Sequence, residues 1–252
     1  KHSYLVKSPE ELPRVFKEAF HIAATGRPGP VLIDVPEDVQ EALVESFHYP
    51  ETADIPGYKP KTAGHPLQMK RALEAIAQAK RPVICCGGGV VLSGARREMA
   101  AFAEKSGIPV VSTMMGIGVM PMDSPVYLGM IGKFGRSYAN RAIGEAKIIH
   151  IDIDPAEIGK NMRVDVPIVG DVKQVLAVLG EKVEPVHCKE WVERVQQYKR
   201  EFVPRGADRE DYVEPRSFIR ALSSLMEEDA ILTADPGQGQ IWSALNFTQK
   251  EG

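Results

Sequence analysis

The chain has 252 residues, of which 44% are hydrophobic and 26% are charged, and its formal net charge is −3. This composition is ordinary for a globular protein, and so small a net charge gives no electrostatic argument for binding nucleic acid or an anionic membrane. No apolar run approaches the length of a membrane span and the first residues lack a signal-peptide core, so we expect a cytoplasmic protein.

The first predicted helix covers residues 8–26, with Ser8 as its N-cap. Its apolar residues recur every three or four positions and predict one buried face, formed by Leu12, Val15, Phe16, Ala19, Phe20 and Ala23. A short strand follows at residues 31–35. Because a lone strand is not stable, we interpret residues 1–44 as the tail of a domain whose beginning is absent.

Residues 45–64 contain three prolines and little periodicity, which is typical of an extended interdomain linker. A helix is then predicted from Pro66 to Lys80, with Leu67, Leu73 and Ile76 facing inward.

The stretch from Arg81 to Gly107 reads as a strand, a glycine run and a helix. The apolar run ending in Cys85 and Cys86 is typical of a buried parallel strand, where both thiols act as small apolar residues. Gly87, Gly88 and Gly89 then leave two interpretations open. Glycines without Cβ atoms let a phosphate approach the backbone, or they provide a turn that needs positive φ.

The pattern then repeats, with strands predicted at 108–113, 148–154 and 166–169, helices at 136–146 and 172–179, and loops at 114–125 and 129–135. Short apolar strands alternating with amphipathic helices predict a doubly wound parallel sheet over residues 65–181. Polar and glycine residues follow its strands, namely Gly87–Gly89, Thr113–Gly116, Asp152–Asp154 and Gly170–Asp171. Together they predict a nucleotide site at the carboxyl ends of the strands, although Asp154 is better explained as the cap of a helix over 155–160.

Residues 182–213 are predicted to form a second connector, whose one helix, 189–202, carries Trp191 on its apolar side. Another amphipathic helix, 214–226, precedes a buried strand at 231–234, so residues 214–252 are interpreted as the start of a further domain. Cys188 has no partner pattern, and the chain contains neither CxxC nor HExxH, so no metal site is expected.

Several segments, taken in order, resemble the large subunits of thiamine-diphosphate-dependent acetolactate synthases. They are TGRPGPVLIDVPEDVQ, RPVICCGGGV, STMMGIG, YLGMIGKFG, YAN, HIDIDPAEIGKNMRVDVPIVGD and TADPGQGQIW. The resemblance implies three α/β domains in the parent enzyme. This chain would then hold a remnant of the pyrimidine-binding domain, the Rossmann-like central domain and the start of the pyrophosphate-binding domain.

The resemblance also implies cofactors. The parent would use thiamine diphosphate with Mg²⁺ to decarboxylate pyruvate and join it to a second 2-keto acid, and its central domain would bind FAD. The implied FAD contacts are Arg27, Gly87, Gly88, Gly89, Thr113, Met114, Gly132, Lys133, Phe134, Gly135, Asp152, Ile153, Asp154, Gly170 and Asp171. The implied thiamine diphosphate contacts are Gly237, Gln238 and Gln240, after a proline, Pro236, where the family has valine.

Two departures from the family limit what this chain does alone. The family's activating glutamate and its magnesium-binding GDG-to-asparagine motif are not in the chain, so no catalytic or metal-binding residue is assigned and the chain as given is expected to be inactive.

The family also continues through a further strand where Ala146 meets Lys147. Either the protein lacks that core strand and an FAD-contacting arginine, or the sequence omits a segment. Omission is favoured because losing a central strand damages a sheet.

The resemblance leaves rival functions open, namely glyoxylate carboligase, a 2-keto acid decarboxylase, an oxalyl-CoA decarboxylase with ADP in the central domain, or a non-catalytic nucleotide-binding module. The implied partners of the parent are 2-keto acids, a second copy in a homodimer or tetramer, and a regulatory small subunit, with no nucleic acid and no membrane.

Overall fold

The computed structural model describes residues 1–44, 46–143, 148–161, 163–202, 212–227 and 229–248. Its strands are β1 (His2–Leu5), β2 (Val31–Asp34), β3 (Ile84–Cys86), β4 (Val110–Ser112), β5 (Tyr127–Met130), β6 (Ile149–Asp152) and β7 (Val166–Val169). Its helices are α1 (Leu12–Ala24), α2 (Glu37–Glu41), α3 (Pro66–Gln78), α4 (Gly88–Leu92), α5 (Arg96–Ser106), α6 (Ser137–Ile143), α7 (Val172–Lys182), α8 (Lys189–Arg200), α9 (Pro215–Leu225) and α10 (Gln238–Asn246).

The described strands form three parallel sheets, in the orders β1-β2, β3-β4-β5 and β6-β7. Helices follow most strands and pack on the sheets, as parallel connections require. The predicted α/β class with parallel strands is therefore confirmed.

The amino-terminal strand β1 was not predicted from sequence. It pairs in parallel with β2, with Tyr4 opposite Ile33. Val6, directly after β1, packs with Val15 of α1 and Val39 of α2 in a small buried cluster. The expectation that the first predicted strand has no sheet partner is therefore wrong, because residues 2–5 supply the partner.

The buried face of helix α1 agrees only in part with the predicted one. Val15, Ala19 and Ile22 are buried, whereas the side chain of Phe20 is 66% exposed. Glu18 lies in the buried stripe because its carboxylate accepts hydrogen bonds from Tyr4 and Arg14. The prediction is therefore confirmed at Val15 and Ala19 and is wrong at Phe16 and Phe20, which are exposed.

The ends of α1 also differ from the prediction. Residues 9–11 form a 3₁₀ turn, and the side chain of Ser8 makes no capping hydrogen bond. The Glu11 carboxylate instead accepts a hydrogen bond from the Lys7 N–H at 3.1 Å. Gly26, with φ of +60°, lies just beyond the helix as predicted.

Two helices, α4 and α5, lie where one was predicted, and α4 begins at Gly88, inside the glycine run. The chain turns between them at Gly94, whose φ is +62°, and α5 ends at Gly107, whose φ is +70°. Gly107 donates its N–H to the Ala103 carbonyl at 2.9 Å, as a left-handed glycine at a helix end does. In α3, which has nearly the predicted range, Leu67 is 51% exposed and not inward-facing.

Strand β5 lies in a segment that was partly assigned to a loop. A hydrogen bond of 2.6 Å between the Ser112 and Tyr127 hydroxyls joins β5 to β4. Gly129 interrupts the strand pattern with a φ of +94°, which is why residues 127–130 did not read as a strand. Residues 155–160 form turns and not the predicted helix, although Asp154 does accept a hydrogen bond from the Ala156 N–H at 3.0 Å.

One buried cluster lies beneath both central sheets. It joins Cys86 and Val110 of the β3-β4-β5 sheet to Ile168 and Leu176 of the β6-β7 half. Helix α8 covers the other face of the β3-β4-β5 sheet, where Trp191 donates its indole N–H to the Pro82 carbonyl at 3.0 Å. Trp191 therefore faces inward as predicted.

The last two described helices, α9 and α10, pack on each other. Between them, residues 231–234 form no strand, and Ile231 is 89% exposed. The predicted buried strand at this place is wrong, because no described strand pairs with it. No helix in the described part of the chain is long and apolar enough to cross a membrane.

Candidate functional site: a cleft beside the glycine run

A cleft of about 700 Å³ opens beside β3 and β6; we call it the central cleft. Its residues at the carboxyl ends of the strands are the glycine run Gly87–Gly89, Thr113 after β4 and Asp152 at the end of β6. Carboxyl ends of parallel strands meet at one edge of a sheet, which is where ligands bind in open α/β folds. The structure therefore brings together three of the four predicted polar segments.

The glycine run has no backbone angle that demands glycine. Gly87 has φ of −118°, and none of the three residues lies in the positive-φ region. The interpretation that these glycines provide a positive-φ turn is therefore wrong. Of the two interpretations of the glycine run, the one that remains is that another group approaches the backbone where a Cβ would otherwise stand.

The space around each glycine differs. A Cβ added at Gly89 would meet no heavy atom within 4 Å, and one at Gly87 would meet only the Thr113 hydroxyl, at 3.7 Å. At Gly88 a Cβ would press on the Cβ of Met115 at 3.2 Å. Gly88 therefore serves protein packing, whereas Gly87 and Gly89 leave room on the side of the cleft.

Backbone hydrogen bonds hold the polar residues of the central cleft in place. The Thr113 N–H donates to the Cys86 carbonyl at 2.9 Å, which ties the end of β4 to the end of β3. One carboxylate oxygen of Asp152 accepts from the Asp154 N–H at 2.9 Å. These bonds fix the backbone at Thr113 and the direction of the Asp152 carboxylate, both of which border the cleft.

The two thiols of β3 also belong to this region. Burial raises the pKa of the Cys86 thiol to about 12, and burial raises the pKa of the Cys85 thiol, which lies open to the cleft. Both thiols therefore stay protonated at neutral pH and are poor nucleophiles. The prediction that both are small buried apolar residues is confirmed for Cys86 and wrong for Cys85, which is exposed.

The second cleft, of about 960 Å³, lies between the loop before α6 and the start of α10. It is lined by Phe134, Gly135, Gly237, Gln238 and Gln240, with Arg136 and Trp242 beside them. The structure thus places two predicted FAD contacts next to all three predicted thiamine diphosphate contacts. Gly237, the residue directly before α10, has φ of +144°, an angle that residues other than glycine rarely adopt.

Arg136 is the main residue of the second cleft that the sequence analysis did not assign. Its guanidinium donates to the Leu245 carbonyl and lies 5.5 Å from the Phe202 ring centroid. Burial lowers the pKa of Arg136, and the nearby charges of Arg220 and Arg216 lower it further. The available signal was an arginine directly after the GKFG segment, but its partners Phe202 and Leu245 lie far along the chain.

The remaining predicted contacts line neither cleft. Arg27 forms an ion pair of 2.8 Å with Glu157 in the turn after β6, and Asp171 caps α7 through the Lys173 and Gln174 N–H groups. Gly170 packs tightly, because an added Cβ would lie 3.0 Å from the Thr62 carbonyl oxygen. The others outside both linings are Met114, Gly132, Lys133, Ile153 and Asp154. The junction of Ala146 and Lys147 lies outside the described residues.

The sequence model described as "Thiamine pyrophosphate enzyme, central domain" matches residues 69–147 and 144–179. These residues include β3 to β7 and the central cleft. Residues 69–179 of the chain are therefore similar to the thiamine pyrophosphate enzyme family. The matched segment is the family's central domain, and its two pieces meet at residues 144–147.

The chain is also similar to acetolactate synthase large subunits over nearly its whole length. It is 44% identical to the probable large subunit of Methanocaldococcus jannaschii over 286 aligned positions, which cover 99% of this chain and 48% of the relative. It is 43% identical to the large subunit of Corynebacterium glutamicum, covering 97% and 44%, and 35% identical to the isozyme 3 large subunit of Escherichia coli, covering 98% and 49%. The chain spans about half the length of these curated relatives.

Proposed function

We propose that the protein to which this chain belongs is an acetolactate synthase that decarboxylates pyruvate and joins it to a second 2-keto acid on thiamine diphosphate, in branched-chain amino acid biosynthesis. The observation that carries the proposal is the identity of 35–44% with acetolactate synthase large subunits across almost the entire chain. The similarity extends to both sides of the central domain. This supports the assignment over the rival interpretation as a non-catalytic nucleotide-binding module, which would share the central domain alone.

Within that enzyme, the role proposed for the central cleft is to hold FAD. The glycine positions fit a dinucleotide, because Gly87 and Gly89 leave open space where side chains would otherwise stand. Backbone N–H groups of the run would bind the phosphate oxygens without a Cβ in the way, and the Asp152 carboxylate would accept hydrogen bonds from the ribose hydroxyls. In this family the flavin is neither oxidised nor reduced in the overall reaction, so it supplies structure and not electrons.

The second cleft is proposed to border the thiamine diphosphate site. Gln238 and Gln240 at the start of α10 present amide groups that hydrogen-bond a polar ligand, and Arg136 supplies a positive charge close by. Thiamine diphosphate, held with Mg²⁺, supplies the electron sink for decarboxylation. The residues of this chain orient the ligand and exclude water from one side of it.

The parent is further proposed to act as a homodimer or tetramer with a regulatory small subunit. The words "large subunit" in the names of the relatives support a smaller partner. Membrane and nucleic acid partners are not proposed, since the net charge is only −3. A cytoplasmic location accompanies this assignment.

The experiment that tests the cofactor assignment is titration of the 252-residue chain with FAD, followed by flavin fluorescence and melting temperature, with ADP and NAD as comparison ligands. We expect saturable FAD binding that raises the melting temperature, because a ligand bound only to the folded state stabilises it. A folded chain that binds no FAD contradicts the assignment of the central cleft.

A matched pair of variants makes the titration specific. Gly89→Leu fills the open side of the central cleft and should weaken FAD binding at least about tenfold, which corresponds to about 1.4 kcal/mol. Gly180→Ala changes another glycine with open space around it, on α7 and outside the cleft lining, and should leave the affinity unchanged.

The reaction itself is tested by assaying the full-length protein for acetolactate formed from pyruvate. Decarboxylation without carboligation rejects the acetolactate synthase assignment.

A further inference from the structure

Helices α9 and α10 are joined to each other by side-chain hydrogen bonds; we call them the α9–α10 pair. Arg220 of α9 donates to the side chain of Asn246 at 3.1 Å, and the Ser223 hydroxyl donates to the Thr248 carbonyl at 3.1 Å. Beyond α9, helix α10 contacts β5. The bonds inside the pair do not determine where it lies against β5, so that position needs another cause.

Arg136 makes a contact that crosses from the central domain to the α9–α10 pair. Its guanidinium donates a hydrogen bond to the carbonyl of Leu245, in the last turn of α10. The last carbonyls of a helix have no partner within the helix and carry a partial negative charge. A half-buried guanidinium is therefore a favourable partner for the end of α10, and it ties this end to the loop before α6.

The backbone around Arg136 fixes where its side chain begins. The Arg136 N–H donates to the Met130 carbonyl at 2.8 Å, so the chain turns back on β5 directly after the strand. A Cβ added at Gly135 would overlap the Met130 carbonyl oxygen, which means that this turn closes only around a glycine. A Cβ added at Gly129 would lie 3.3 Å from Cγ of Arg136, so the missing side chain makes room for the arginine stem.

Two further elements hold the loop and the guanidinium. Asn140 of α6 accepts a hydrogen bond from the Gly132 N–H at 2.8 Å and donates one to the Gly132 carbonyl at 2.9 Å. The guanidinium carbon of Arg136 lies 5.5 Å from the ring centroid of Phe202, within the range of a cation–π contact. Arg136 is thus fixed by β5, by α6 and by the residue Phe202 beyond α8 at the point where it reaches α10.

The two ends of α10 are held unequally. The last turn contains Leu245, bound by Arg136, and Asn246, which is 6% exposed. At the other end, Gly237 and Gln238 are exposed, and no side chain caps the first turn. A helix of nine residues is a rod about 13 Å long, so the contact that holds its last turn also sets the place of its first turn.

We propose that Arg136 is a positioning residue, which holds the last turn of α10 against β5 and thereby sets where Gln238 and Gln240 stand in the second cleft. Arg136 acts through α10 and is not proposed to contact the ligand. The inference rests on the proposed function, in which the two glutamine amides hydrogen-bond thiamine diphosphate. In this role Arg136 links the loop with two implied FAD contacts, Phe134 and Gly135, to the helix with the implied thiamine diphosphate contacts.

The first test measures hydrogen exchange along the 252-residue chain in two variants of Arg136. Arg136→Met keeps an apolar stem over Gly129 but removes every donor, whereas Arg136→Lys keeps a charged donor. Exchange at 238–246 should become at least about tenfold faster in Arg136→Met, because the end of α10 loses its tie to the loop. Exchange at 127–130 should change by less than about twofold, and Arg136→Lys should restore most of the protection of α10.

The matched control for the exchange experiment is Arg141→Met. Arg141 lies on α6, and its guanidinium carbon is 4.1 Å from the ring centroid of Tyr198 on α8. Like Arg136 it is an arginine over an aromatic ring, but its ring contact joins α6 to α8. Arg141→Met should therefore leave exchange at 238–246 unchanged.

The second test measures cofactor affinities of the same variants in the full-length protein. Arg136→Met should weaken thiamine diphosphate binding at least about tenfold, and Arg136→Lys should recover most of that affinity. FAD affinity should change by less than about twofold, because the central cleft does not include α10. A residue that merely stabilises the fold would lower both affinities together.

Three results overturn the proposal. Unchanged exchange at 238–246 in Arg136→Met would mean that α10 is held without the guanidinium. Faster exchange with unchanged thiamine diphosphate affinity would mean that the glutamines keep their places without a fixed last turn. Equal losses of FAD and thiamine diphosphate affinity would mean that Arg136 supports the fold in general.

Failure of the proposed function has a different signature. A full-length protein that carries the native Arg136 and binds no thiamine diphosphate contradicts the proposed function. The exchange experiment needs no cofactor, so it decides separately whether Arg136 holds α10.

Discussion

The two ends of the chain carry the same sequence pattern but adopt different structures. Each has an amphipathic helix followed by an apolar run of four residues, VLID after α1 and ILTA after α9. The first run forms β2, whereas the second, residues 231–234, forms no strand. The difference is the partner, because β1 lies beside the first run and no described strand lies beside the second.

The comparison shows how little of a strand is determined by its own residues. β2 gains backbone hydrogen bonds from β1 and a helix over one face, and the adjoining cluster of Val6, Val15 and Val39 is almost fully buried. Residues 231–234 have a similar apolar content, yet Ile231 is 89% exposed. β3 and β6 lie between these cases, since each pairs with one neighbour among the strands that the structure describes.

The largest expected effect comes from removing the packing that supports β2. Val15 is 2% exposed between the β1-β2 sheet and Val39, so Val15→Ala should lower the free energy of unfolding of this region by about 2 kcal/mol through a cavity that cannot fully close. The measurement is hydrogen exchange of residues 1–41 at increasing urea concentration.

The matched variant at the other end of the chain is Ile231→Ala. It removes an apolar side chain of similar kind from an exposed position, and the change in stability should stay within about 0.5 kcal/mol. If Ile231→Ala destabilises the protein as much as Val15→Ala does, residues 231–234 are packed in solution and the comparison between the two ends fails.

The elements that could be predicted from sequence are those with strong local signals. β7 has the predicted range, 166–169, and α3, α5 and α8 end within a few residues of their predicted ends, because glycine, proline and helical periodicity act locally. β1 and β5 were missed since one lies in a polar amino-terminal segment and the other contains Gly129 at positive φ. The partner of a strand depends on residues far along the chain, which periodicity does not reveal.

The same limit applies to the candidate site. Gly87, Thr113 and Asp152 could be grouped from sequence because the ends of parallel strands meet, and the structure does place them in one cleft. Arg136 and Trp242 meet only because α10 packs near the loop before α6, and nothing in their local sequence indicates that contact. The alternation of strands and helices indicates that the strands are parallel, whereas the docking of a helix depends on the shapes of the two surfaces.

A smaller effect on stability is expected from removing the carboxylate of Glu18, which lies on α1 beside the β1-β2 sheet. Glu18 is 8% exposed and accepts hydrogen bonds from the Tyr4 hydroxyl at 3.0 Å and from Arg14 at 3.1 Å. Glu18→Ala leaves the partly buried Tyr4 hydroxyl without this acceptor and should lower the free energy of unfolding by about 1–2 kcal/mol. Urea denaturation followed by exchange of residues 1–41 measures the change.

The control for Glu18 is an ion pair outside the buried stripe. Lys70 and Glu74 lie 3.9 Å apart on α3 with side chains that are 75% and 57% exposed, so Glu74→Ala should change stability by no more than about 0.5 kcal/mol. Equal losses for Glu18→Ala and Glu74→Ala would show that burial of Glu18 adds nothing to the stability of the β1-β2 unit.

The smallest expected effect is a change in pH dependence on replacing Tyr4 with phenylalanine. Burial, together with the hydrogen bond to the Glu18 carboxylate, raises the pKa of Tyr4 from 10.0 to about 12. Because the folded-state pKa is above the unfolded one, the stabilising contribution of the neutral phenol is complete below about pH 10 and is lost as the pH rises toward about 12. Tyr4→Phe should therefore melt at a lower temperature than the parent at pH 8, and this difference should shrink between pH 10 and pH 12. Tyr49→Phe, which removes a hydroxyl from a tyrosine that is 43% exposed, is the comparison variant measured alongside it. A constant offset for Tyr4→Phe would mean that the Tyr4–Glu18 contact does not couple β1 to α1. The pairing that distinguishes the first run from the second would then rest on apolar packing and backbone hydrogen bonds alone.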